Sequence, residues 1–198
     1  MNSNRNEVAS SSPWLHKGAL ATTLLLLIVF AGLLLRFYLP PWAPIHSNSH
    51  GIEKLRVLLD PSEPPSARMF YGYLFPYVME KLLSLFGPQE QVIFAANSVF
   101  GALSVWSLFA LARALRLGQG AALFAAFVLA FSPGHIWVSG SEVTSPLYQL
   151  LLTTALVFTL RSVHTDDPAK LWAAALLAAL ASALRVTTLL AIPVIIAA

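Results

Sequence analysis

No cysteine occurs among the 198 residues. That absence excludes thiol catalysis, disulfide cross-links and thiolate metal sites. Charge is scarce as well: Asp, Glu, Lys and Arg together make up 11%, and the formal net charge is +3. The bases stand singly between apolar runs, with no basic patch and no aromatic platform, so nucleic acid is not an expected partner. Hydrocarbon takes their place. The chain is 57% hydrophobic with a mean hydropathy of +0.71, and the apolar residues come in blocks. Such a composition describes an integral membrane protein with membrane lipid as a partner; a multi-pass protein of a plasma or inner membrane is the expectation.

The blocks follow one another as helix-length runs. A polar start, MNSNRNEVASSSP, leads to Trp14, His16 and Lys17; residues 1–17 read as a disordered cytoplasmic tail ending at an interface. Gly18 to Leu35 is the first span. Its apolar run is too long for a cleaved signal peptide, and Pro40-Pro41-Trp42 stands where cleavage needs small residues, so it reads as an anchor. Val92 to Leu115 is the second span; its Asn97, Ser98, Ser104 and Ser107 read as helix-packing residues. Ala121 to Phe131 begins a third, closed by Ser132-Pro133-Gly134, and Pro146 to Leu160 makes a fourth. The polar turn RSVHTDDPAK follows, then a fifth span from Leu171 to Leu184 and the start of a sixth at Val186. The last residues, from Pro193, are still apolar and lack a polar flank. The expectation is therefore that residues 18–198 form the N-terminal part of a longer transmembrane domain.

Loop charges give an orientation. With a cytoplasmic N-terminus, Arg5, Lys17, Arg113, Arg116, Arg161 and Lys170 all lie inside, while GHIWVSGSEVTS, free of Lys and Arg, lies outside. The Arg36–Glu90 loop then falls outside too. A loop this long carries structure or function of its own. Two short helices are predicted in it. Ser49 caps the first, Ile52, Leu55, Leu58 and Leu59 share one face, and Asp60-Pro61 stops it. Tyr71 to Phe86 is the second, with Leu74, Phe75, Val78, Leu82, Leu85 and Phe86 on a wide apolar face. Both are expected to lie in the membrane interface. The fold class is thus all-α, a polytopic helix bundle with a long external first loop.

That order of parts resembles a known family. The anchor, the loop with two helices ending in Leu85-Phe86-Gly87, the Asn-containing span ending FALARALRLG, the connection from Ser132-Pro133 to Glu142, and ALASALR before TTLLAIP carry the likeness. Together they resemble the GT-C membrane glycosyltransferases, in particular the protein O-mannosyltransferase and aminoarabinose-transferase branch. The resemblance implies transfer of a sugar from a polyprenyl-phosphate donor to an acceptor at the outer membrane face. The lipid-linked sugar is then the donor substrate, and no other cofactor is implied. It also implies an acidic pair early in the first loop. By the match of EKLRVLL to the family's first loop helix, that pair falls at about Ser47-Asn48, where no carboxylate stands.

The reaction needs a base for the acceptor hydroxyl and positive charge for the leaving phosphate. Histidines flank the vacant acidic seat, and a neutral imidazole with an ordinary pKa near 6.5 takes a hydroxyl proton at physiological pH. His50 is the first candidate base, His46 the second and Asp60, explained equally well by a turn before proline, the third. His46 and His50 are alternatively two metal ligands, or ordinary interfacial histidines; no metal site is expected. Arg185, between two apolar runs on the outer side, is the candidate for holding the donor phosphate. Glu142 and Arg56 complete the substrate-binding candidates; the alternatives are a cap for the next helix and a solvated pair with Glu53. A competing functional class, a transporter or non-catalytic polytopic protein with the same helix arrangement, stays open at this stage.

Overall fold

The computed structural model describes residues 13–39, 55–60, 62 and 74–185. Seven helices are named in chain order: α1 Pro13–Tyr38, α2 Leu74–Phe86, α3 Glu90–Ala114, α4 Gln119–Phe131, α5 Pro133–Ser139, α6 Ser145–Thr165 and α7 Pro168–Ser182. A further helical turn covers 55–59. Among the described residues there is no strand, and the molecule is an all-α polytopic membrane bundle.

Among the described residues three helices are long and apolar enough to cross a membrane, Gly18–Tyr38 within α1, α3 and α6. α4 and α5 meet that test only together, and they are bent by 60° at their junction. The thirteen residues of α4 rise about 20 Å at 1.5 Å per residue, short of the roughly 30 Å of hydrocarbon. Six spans were expected. α7 has 15 residues and is apolar but shorter than a full crossing, and the sixth expected span lies outside the described residues. Two boundaries also move. The stretch GHIWVS, read as connection, is helical in α5, and the helix α6 runs through Arg161 to Thr165 where a polar turn was expected. Asp166 in the left-handed region (φ 51°) closes it.

Both ends of the bundle have a distinct make-up. One end gathers Leu55, then Phe75, Met79 and Leu83 of α2, Ile93 and Phe94 of α3, Leu147 of α6 and Leu184 into one buried cluster. Among the described residues of the first loop, Leu55, Phe75, Met79 and Leu83 are therefore buried on the ends of the long helices. α2 uses a face rotated from the expected one: Phe75, Met79 and Leu83 are buried, whereas Leu85 and Phe86 are exposed. At the opposite end the turns after α3 and α6 touch. The His164 imidazole donates from Nε2 to the Ala114 carbonyl (3.2 Å), and Arg116 donates to His164 Nδ1 (3.2 Å). Between the ends, α1, α3 and α4 pack closely through Leu25, Val105, Ala126 and Ala130. Small residues at these positions let backbones approach in lipid, where apolar area alone gives no preference for protein over solvent.

Candidate functional site

The break between α4 and α5 creates the chemistry of the site. Pro133 carries no N–H, so the Leu129 carbonyl loses its i+4 partner and keeps only the Ser132 N–H at 3.4 Å, and Ala130 is also among the last four carbonyls of α4. In a membrane bundle such groups need another donor. Arg36, fully buried near the end of α1, supplies it. Its Nη1 donates to the Ala130 carbonyl at 3.1 Å and to Gly32 at 2.7 Å, and its Nη2 donates to Leu129 at 3.4 Å. A cation at this helix C-terminus also meets the negative end of the α4 dipole. Nη2 reaches His135 Nδ1 of α5 as well.

That contact fixes the imidazole. Guanidinium is a donor only, so Nδ1 accepts and the ring proton sits on Nε2. Nε2 donates to Gln149 Oε1 of α6 at 2.9 Å. Four helices are thereby joined through one polar chain, buried at Arg36 and half-buried at His135 and Gln149. Space for it comes from Gly101 of α3, where a Cβ would lie 2.6 Å from Ser139 Cβ and 3.0 Å from Arg36 Nε.

From Ser139 the chain turns through Gly140 into 141–144, and Asn97 of α3 holds that loop. Its Nδ2 donates to the Ser141 carbonyl and, at 2.9 Å, to that of Val143. Glu142, between those two carbonyls, is buried with 1% exposure. The N-cap position of α6 belongs to Thr144, so Glu142 is not its cap residue. Arg185 stands beyond α7 at the same end of the bundle. It is exposed, donates to Ser145 Oγ at 2.9 Å, and lies over the Tyr148 ring with 5.5 Å to the centroid. A buried carboxylate and an exposed guanidinium thus flank the start of α6.

The remaining candidates are not joined to this group by any contact described. Arg56 is exposed on the 55–59 turn. Asp60 ends that turn: its Oδ1 accepts from the Ser62 amide at 2.8 Å and from the Ser62 hydroxyl at 2.6 Å. His46 and His50, with Ser47 and Asn48 between them, lie outside the described residues. No group of three or more His, Asp or Glu side chains suited to a metal occurs among the described residues. Sequence reasoning missed Arg36, His135 and Gln149. The available signals were an arginine two residues before the end of the first helix and a Ser-Pro break inside an apolar run.

Residues 71–198, more than half of the chain, match the family described as dolichyl-phosphate-mannose-protein mannosyltransferase. The chain belongs to that family. It is a GT-C type family of membrane glycosyltransferases, and the match contains Asn97, His135, Glu142, Gln149 and Arg185. Arg36, Arg56 and Asp60 precede it. No match was found among curated proteins or among solved structures.

Proposed function

We propose that this mannosyltransferase-family chain takes part in moving a sugar from a polyprenyl-phosphate donor to an acceptor on the non-cytoplasmic face of the membrane. The observation that carries the reading is the family match over residues 71–198. The charge arrangement at the start of α6 supports it. In the reaction an acceptor hydroxyl oxygen attacks the anomeric carbon, the bond from that carbon to the phosphate oxygen breaks, and the hydroxyl proton passes to a protein base. Polyprenyl phosphate leaves with one more negative charge to be stabilised. Arg185 takes that task. Exposed and steadied by Ser145 and Tyr148, it offers charge-assisted hydrogen bonds to the phosphate beside the α6 N-terminus. Glu142 accepts hydrogen bonds from substrate hydroxyls, and Arg56 adds positive charge on the loop. His50 is the first choice of base and His46 the second. Asp60 stays third, because Ser62 already occupies its carboxylate.

The test uses the full-length protein in membranes, assayed for transfer from a panel of polyprenyl-phosphate sugars. Arg185→Gln is expected to raise the KM for donor about tenfold, the worth of one charge-assisted hydrogen bond, with membrane insertion unchanged. Unchanged donor KM removes Arg185 from the site. Absence of transfer from every donor tried, in the unsubstituted protein, favours a non-catalytic polytopic protein instead.

A further inference from the structure

We infer that Arg36 is a positioning residue: it stands in for the backbone donors lost at the α4–α5 break and thereby fixes the loop that carries Glu142. The argument begins with backbone chemistry. A helix interrupted by proline inside hydrocarbon leaves carbonyls that water cannot reach. Ala130 is such a carbonyl and Leu129 keeps only a long bond from the Ser132 N–H (3.4 Å); the Arg36 guanidinium takes both, using separate nitrogens. The same fork reaches His135 in the first turn of α5. One planar group therefore grips both sides of the bend, which a point-charge ammonium does not do.

From there the constraint passes along α5. His135 is tied to Gln149 of α6, and Ser139 sits against Gly101 of α3 with no room between them. Ser98 Oγ lies 3.4 Å from the Arg36 carbonyl and 3.5 Å from that of Ser139, bridging α1 to the end of α5. Two residues beyond Ser139, at the Ser141 carbonyl, the Asn97 clamp begins. With α5 held at both ends, residues 140–144 have a single placement, and Glu142 is held buried beside the start of α6. In its catalytic consequence this inference rests on the glycosyltransferase reading; in its structural part it does not.

Residues 1–198 contain no native thiol, so Val143→Cys gives a single reporter there on the half-buried loop. Its labelling rate by a maleimide is compared in membranes between otherwise unsubstituted, Arg36→Met and Arg36→Lys full-length proteins, with Gln89→Cys as exposed control. Arg36→Met is expected to raise the Val143→Cys rate about tenfold by local opening, and Arg36→Lys by less, with the control unchanged. The kcat for sugar transfer falls in the same order, while donor KM stays within about twofold. If Arg36→Met fails to insert, Arg36→Lys decides alone. Labelling rates equal to those of the unsubstituted background overturn the inference whether or not transfer is seen. The expected order of labelling in a protein that transfers no sugar overturns the functional reading and upholds the positioning role.

Discussion

Gly101 illustrates how much a single missing side chain determines here. It faces Ser139 and Arg36 so closely that a Cβ has no space, yet its backbone is ordinary helix in the middle of α3. The requirement is close approach, not conformational freedom. Gly101→Ala therefore overpacks the contact, at an expected cost of about 1–3 kcal/mol. Thermal unfolding of the purified protein in detergent measures it. Ser139→Gly in the same chain removes the atoms being struck, so the double substitution should recover much of the loss. Strict additivity of the two changes would show that the two residues do not meet. Asn97 makes the opposite point. The sequence reading assigned it to helix packing, and it does join two elements, but its partners are loop carbonyls, not a neighbouring helix. The polar residue type was legible; the element it holds was not.

At the scale of elements, long apolar runs were read well because length and composition decide them. α1, α3 and α6 stand close to the expected spans. Errors gathered at breaks. Ser132-Pro133-Gly134 correctly ended α4, but Pro at the first position also starts a helix, and α5 begins at that residue. The turn after α6 was drawn too early because Arg161, Ser162, His164 and Thr165 look like loop residues. They extend the helix because hydrogen bonds to α3's end and within the turn satisfy them. For α2 the apolar residues surround so much of the helix that sequence could not choose the face that packs on the bundle. Leu85 and Phe86 were placed on the apolar, interface-lying face and are exposed, whereas Met79 and Leu83, left off that face, are buried. Met79, with no exposed surface, should cost about 2–5 kcal/mol when replaced by Ala. Leu85→Ala, at a position 75% exposed, should stay within about 0.5 kcal/mol. Equal losses of unfolding midpoint in the two variants would restore the face expected from sequence.

Across the whole molecule, the charge pattern and the packing agree on one division. The first loop, the 140–145 connection and Arg185 meet at one end of the bundle, through the Leu55–Leu184 cluster and the Arg185–Ser145 bond. The turns after α3 and α6 meet at the other, through His164. Arg113, Arg116, Arg161 and Lys170 belong to this second end, in the short connections on which the orientation expected from sequence rests. The candidate site was legible only in part, because Glu142 and Arg185 stand out by charge, whereas the polar chain from Arg36 to Gln149 depends on tertiary contacts among four helices. Sidedness supplies the last prediction. The end bearing Glu142 and Arg185 must face away from the cytoplasm if bases are kept inside. Ser62→Cys and Gln89→Cys, both at exposed positions of the first end, should react with an impermeant thiol reagent in intact cells. Gln119→Cys and Thr165→Cys, exposed at the second end, should react only after the membrane is opened. The reverse pattern would invert the molecule and, with it, the face proposed for sugar transfer. Labelling of one position from each end in intact cells would contradict the division itself, since no single orientation exposes both.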